Sequence, residues 1–144
     1  MKKLFSVCCL LMCTQVLAES CNDLEVSIAN VTEHNCRLIA VNFIHGELNS
    51  TTIPEVIAPN TSRSFMVTTT GLYGPSLMVA YDCGCDGSVN IVSSQNYCLF
   101  KAADVTGSVN LVNDLQADYT VQPGDWNMFS HGLHGAIHWS ISKR

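Results

Sequence analysis

What most constrains this chain is its punctuation. Short runs of alternating apolar and polar or small residues recur along it, each ended by glycine, proline, asparagine or aspartate. Leu24-Glu25-Val26-Ser27-Ile28-Ala29 alternates as a half-buried strand does, because successive strand side chains point to opposite faces. Arg37 to Ile44, Ser64 to Thr70, Ser76 to Cys83, Val89 to Ser93, Tyr97 to Lys101, Ser108 to Asn113, Asp118 to Gln122 and Ala136 to Ser142 read as further strands. No window repeats its apolar residues at the helical period, and Ala102-Ala103-Asp104 offers one helical turn at most. Asp86-Gly87, between two strand-like runs, favours a tight hairpin turn. Asn60-Thr61-Ser62, Gly71 to Pro75 and Pro123-Gly124-Asp125 read as loops. Residues 46–61 form the longest irregular stretch, and Pro54 and Pro59 exclude a central strand there. The pattern predicts an all-β chain: a single antiparallel β-sandwich of about eight to nine short strands.

The first eighteen residues stand apart. Lys2 and Lys3 precede an uncharged, mostly apolar run from Leu4 to Leu17, and Ala18 offers a small residue for cleavage. This is the pattern of a secretory signal peptide. The run is too short for the ~20 residues of a membrane-spanning helix. A lipid-modified start would need a small or apolar residue where Glu19 precedes Ser20 and Cys21. The expectation is therefore a leader over residues 1–18, one β-sandwich domain over residues 19–144, and a secreted or periplasmic protein.

Export changes the chemistry of what is left. Two of the seven Lys and Arg lie in the leader, so five cations face twelve carboxylates and the formal charge becomes −7. An acidic surface with scattered cations argues against nucleic-acid binding. It also offers no attraction to anionic lipid, so any membrane contact must come from apolar insertion or a specific headgroup. Cys21, Cys36, Cys83, Cys85 and Cys98 remain, and an oxidising compartment makes disulfides the expected state. An odd count implies two bonds and one free thiol, a route to self-association. Cys21 and Cys36 bracket the first strand and its turn and are the expected partners, a bond worth roughly 3 kcal/mol from loop-closure entropy. Cys98 is then expected to join Cys83 or Cys85.

Three clusters are candidates for chemistry. His131, His134 and His138 lie within eight residues, and His131 and His134 are candidate zinc or copper ligands. The bland alternative is a glycine-bearing loop with exposed histidines, and no metal or other cofactor is expected. Cys83-Gly84-Cys85 is a C-x-C pair, read as one structural disulfide partner plus the odd thiol. Tyr119, Trp126, Phe129 and Trp139 gather in the last quarter of the chain. Trp126 and Phe129 fall in a polar, glycine-bearing loop, where large rings either cover the core or meet a membrane, sugar or peptide. Trp139 falls in a strand and is assigned to the core. No Gly-x-Ser-x-Gly, His-Glu-x-x-His or phosphate-binding glycine loop occurs, and no enzymatic activity is expected. Three N-x-S/T sequons begin at Asn30, Asn49 and Asn60.

One stretch resembles a known family. Gly46 leads into a loop through Ile53-Pro54-Glu55-Val56-Ile57-Ala58-Pro59-Asn60. A strand with Phe65 follows, then Thr70-Gly71-Leu72-Tyr73-Gly74, then Val79-Ala80-Tyr81. This order, over residues 22–95, resembles the aegerolysin and actinoporin-like β-sandwich proteins. The resemblance implies a secreted sandwich whose loops at one end meet a lipid headgroup, with cytolytic activity in several members. It adds Tyr73 to Tyr119, Trp126 and Phe129 as candidate membrane- or ligand-binding residues. The chain departs from the pattern in lacking aromatics before Pro54 and an amphipathic N-terminal helix, since Cys21 to Thr32 reads as a strand. The alternative function is a protein-interaction module such as an adhesin or envelope subunit, using exposed strand edges and the odd thiol.

Overall fold

The computed structural model describes residues 21–69, 71–98, 102–126 and 132–144. The leader, Phe129 and His131 lie outside the described residues. Ten strands form: β1 (Asp23–Asn30), β2 (Cys36–His45), β3 (Glu47–Leu48), β4 (Val56–Ile57), β5 (Thr61–Thr68), β6 (Ser76–Asp82), β7 (Gly87–Gln95), β8 (Val105–Asn113), β9 (Leu115–Gln122) and β10 (Gly135–Lys143). They build two five-stranded sheets, ordered β3-β5-β1-β10-β9 and β4-β2-β6-β7-β8, packed as a sandwich.

The predicted sandwich is the one found, with two corrections. The pairing is not wholly antiparallel: β1 and β10, the first and last strands, run parallel at the centre of their sheet. Tyr97 and Cys98, read as the start of a strand, lie in none. β7 ends at Gln95, after which the Asn96 amide donates to the Asp104 carbonyl. The proline-bearing stretch contributes only the two-residue β3 and β4, both at sheet edges.

Alternation sets the core. Leu24, Val26 and Ile28 of β1 and Ile137, Trp139 and Ile141 of β10 are buried against Leu77, Val79 and Tyr81 of β6 and Val89 and Ile91 of β7. Trp139, assigned to the core from its sequence, is 1% exposed and donates Nε1–H to Ser93 Oγ at 2.9 Å, a bond between the two sheets. Gly107 makes room for it: a Cβ there would lie 2.6 Å from the indole. Tyr81 is buried, its hydroxyl donates to the Pro54 carbonyl at 2.8 Å, and burial pushes the phenol above its ordinary value.

The disulfides differ from the expected pairing. Cys21 joins Cys98 and Cys36 joins Cys83, leaving Cys85 free and exposed. Cys21 and Cys36 are near in sequence, but the eight-residue β1 carries the chain about 26 Å between them. That far exceeds the reach of a disulfide. Antiparallel β2 and β6 pair Arg37 with Asp82, which sets Cys36 opposite Cys83. The first sequon is also structural: Asn30 is fully buried, accepts from the Thr32 amide and hydroxyl, and donates to the His34 and Ile57 carbonyls.

At the end of the sandwich that holds Cys36, buried Asp86 accepts from His34 Nδ1 at 2.9 Å and lies 3.2 Å from Lys143 Nζ. The His34 hydrogen bond first, and then Lys143, hold its carboxyl below the ordinary 3.8. A depressed carboxylate stabilises the fold above its unfolded-state value and loses that contribution as pH falls through its folded-state value. Chemical denaturation from pH 6 downward should therefore show stability falling below about pH 4. Asp86→Asn should flatten that acid limb, and an unchanged limb would show that the carboxylate plays no part in it.

Candidate functional site

The register gives the sandwich two different ends. β1 and β10 start, and β2, β5, β7 and β9 finish, at one end. Residues 71–75, 96–98, 102–104, 123–126 and 132–134, which follow or precede those strand ends, gather there with Cys21. The Cys21–Cys98 bond pins the start of β1 to the β7–β8 loop. Asn22 reinforces it, accepting from the Cys98 amide at 2.6 Å and donating to its carbonyl at 3.2 Å. Gln95 donates to the Cys21 carbonyl at 2.7 Å. The end is therefore a braced platform.

On this platform the 71–75 loop stands out. Leu72 is 79% and Tyr73 68% exposed, the largest exposures among the large apolar side chains described. The loop is tied at both sides: the Thr69 hydroxyl donates to the Tyr73 carbonyl, and the Gln95 amide donates to the Pro75 carbonyl at 2.9 Å. Gly74 lies flat against Gln95, where a Cβ would come within 1.8 Å of the Gln95 carbonyl oxygen. The Tyr73 ring stacks on His45 at 4.7 Å between centroids.

Beside the loop lies a cleft of about 380 Å³. Ile44, His45, Leu72, Tyr73, Asn96 and Tyr97 line it, together with Ser76 and Ser94, whose hydroxyls lie 2.6 Å apart. Among the described residues no Asp, Glu, Lys or Arg lines it. The cleft offers a ligand aromatic faces, hydroxyls, an imidazole and an amide. Tyr97 and Ser94 were not singled out from the sequence. Tyr97 follows the polar Gln95-Asn96 pair, a loop signal hidden by its β-prone side chain.

The other residues singled out from the sequence are placed elsewhere. Trp126 is half-buried and packs on the cluster of Cys21, Cys98 and Ala103, so it covers the disulfide at the same end. Tyr119 is at mid-strand on β9, 43% exposed, with its ring 4.7 Å from that of Trp139. His134 Nε2 lies 3.2 Å from the Glu25 carboxylate. Among the described residues no three His, Cys, Asp or Glu side chains are grouped to hold a metal ion. No described helix is long and apolar enough to cross a membrane.

No family model matches the chain, and no curated protein matches it. The likeness to known proteins is one of fold. The structure superposes on that of the lipid binding protein Nakanori with a TM-score of 0.63 at 11% identity, over 85% of this chain and 71% of that one. It superposes on IP-1A from Alcaligenes faecalis with a TM-score of 0.60 at 10% identity, over 89% and 95% of the two chains. For the RahU protein, solved with a Tris molecule, the TM-score is 0.57 at 7% identity, over 83% and 95%.

The anchoring of the loop can be checked apart from any ligand. Gly74→Ala should cost about 1–3 kcal/mol, because backbone blocks its methyl. Tyr73→Ala should stay within about 0.5 kcal/mol of the parent in urea unfolding, as expected of an exposed ring. Equal effects of the two would contradict a braced loop with a free tip.

Proposed function

We propose that this chain is an exported, non-enzymatic protein that docks on a membrane surface and takes a lipid headgroup at the end carrying the 71–75 loop. The observation that carries this reading is the exposure of Leu72 and Tyr73 on a loop braced at both sides. A rigid tip presents apolar surface without an ordering cost at the moment of contact. Burying a leucine side chain contributes about 1.5–3 kcal/mol, and a tyrosine suits a boundary with one apolar and one wet side. The likeness in fold to a lipid binding protein supports the reading. The two disulfides suit an extracellular or periplasmic setting.

Pore formation is a separate property. A segment that inserts must first leave the fold, whereas β1 is paired on both sides, by β5 and by β10, and tethered through Cys21. The proposal is therefore docking without perforation. In flotation assays with vesicles spanning phosphatidylcholine, sphingolipids and sterol, the parent should float with at least one composition. Leu72→Asp with Tyr73→Ala should lower that binding by about tenfold or more. Vesicles should retain an entrapped dye. A folded parent that floats with none of them would sink the reading.

A second reading is a protein-interaction module, and it rests on β2. Beyond its short pairing with β4 at Cys36 and Arg37, β2 has no strand on its outer side. Ile39 is 60% exposed there, and Val41, Phe43 and Ile44 are exposed as well. A bare apolar edge is a template for strand addition. If a second copy is the partner, amide exchange of residues 39–44 should slow as protein concentration rises and Val41→Lys should abolish the effect. Exchange independent of concentration would exclude self-pairing.

A further inference from the structure

The chemistry of the cleft narrows what it can take. A phosphate-bearing headgroup carries a full negative charge, which proteins meet with Arg or Lys forks, or with backbone N–H groups at helix starts and nests. Among the described residues, no Arg or Lys lines this cleft. The register places the described cations Arg37, Arg63, Lys143 and Arg144 in the far half of the sandwich. The 3-10 turn found among the described residues, Gly84–Asp86, lies at the far end too.

What the cleft offers is complementary to a neutral polyol. Tyr73 gives one face to His45 and is otherwise open to solvent. Tyr97 is half-buried in the lining, and Asn96 is exposed beside it. Aromatic faces suit the C–H faces of a sugar ring, which carry weak positive charge toward the negative face of the π-system. The Ser76 and Ser94 hydroxyls satisfy one hydrogen bond between themselves, leaving one proton and several lone pairs for a ligand. An amide that both donates and accepts completes a set that matches vicinal hydroxyl groups. The volume lies at the small end of small-molecule sites, room for one sugar ring and part of a second.

We infer that the cleft formed by Tyr73, Tyr97, Ser76, Ser94 and Asn96 binds an uncharged saccharide. The inference rests on the docking reading only in placing that sugar on a glycolipid; a free or protein-linked saccharide would present the same chemistry. Leu72 would then touch the apolar part of the interface while the cleft holds the sugar.

The test uses vesicles of phosphatidylcholine and cholesterol, plain or containing glucosylceramide, galactosylceramide, lactosylceramide or sphingomyelin. Free methyl glucoside, methyl galactoside and lactose serve as competitors. Binding should be at least about tenfold tighter to one of the glycosylceramide vesicles than to the plain or sphingomyelin vesicles, and the matching free sugar should compete. Tyr73→Ala and Ser94→Ala should each reduce that preference by about tenfold, with near-ultraviolet circular dichroism unchanged. Equal binding with and without the sugar, or a preference for sphingomyelin, overturns this inference and leaves membrane docking standing. Binding of free sugar with no affinity for any vesicle supports the saccharide site and overturns docking. Binding to neither vesicles nor sugars overturns both.

Discussion

The parallel pairing of β1 with β10 carries most of this architecture. β1 is hydrogen-bonded to β5 on one side and β10 on the other, so the N-terminal strand is the spine of its sheet. A parallel pair cannot be closed by a short turn, and here nearly the whole chain is the crossover between its strands. The pairing brings Cys21 and residues 123–126 and 132–134 to the same end as residues 71–75 and 96–98. Without it the platform under the cleft would have no second side. Asn30 secures the other end of β1 by satisfying four hydrogen bonds in a fully buried position.

The two ends are braced by different physics. At the platform end, a disulfide, the Asn22 bonds and the Gln95 side chain hold loops together, and no Asp, Glu, Lys or Arg lines the cleft among the described residues. At the far end, Cys36–Cys83 closes neighbouring strands, and the buried Asp86 carboxylate gathers His34 and Lys143. A buried carboxylate thus helps to hold the far end, while the described lining of the cleft consists of uncharged polar, aromatic and apolar side chains and His45.

Much of the fold was legible because strand alternation is local. Leu24, Val26 and Ile28 announce a buried face, and Trp139 was assignable to the core from its place in an alternating run. The cysteine tally was also legible as two bonds and one thiol, whereas the partners were not. Cys21 and Cys36 look like neighbours along the sequence, but β1 separates them by its full length. Tyr97 misled for a related reason: its β-prone side chain masks the loop signal of the polar Gln95-Asn96 pair before it, and only the Cys98 bond to Cys21 shows where this segment sits.

By itself, the sequence determined the class of structure, the alternating core faces and the acidic balance, and it marked a turn near Asp86-Gly87 that the fold places over residues 83–86; all of these depend on residues close along the chain. Tertiary structure alone decided that β1 and β10 lie side by side, that Cys85 is the free thiol, and that Trp126 packs on a disulfide while Tyr73 remains exposed. It alone assembled Tyr73, Ser76, Ser94 and Tyr97 around one cleft. These are relations between distant segments, set by register and by the order of strands in a sheet. Local alternation specifies which face a residue takes and is silent about which neighbour it meets there.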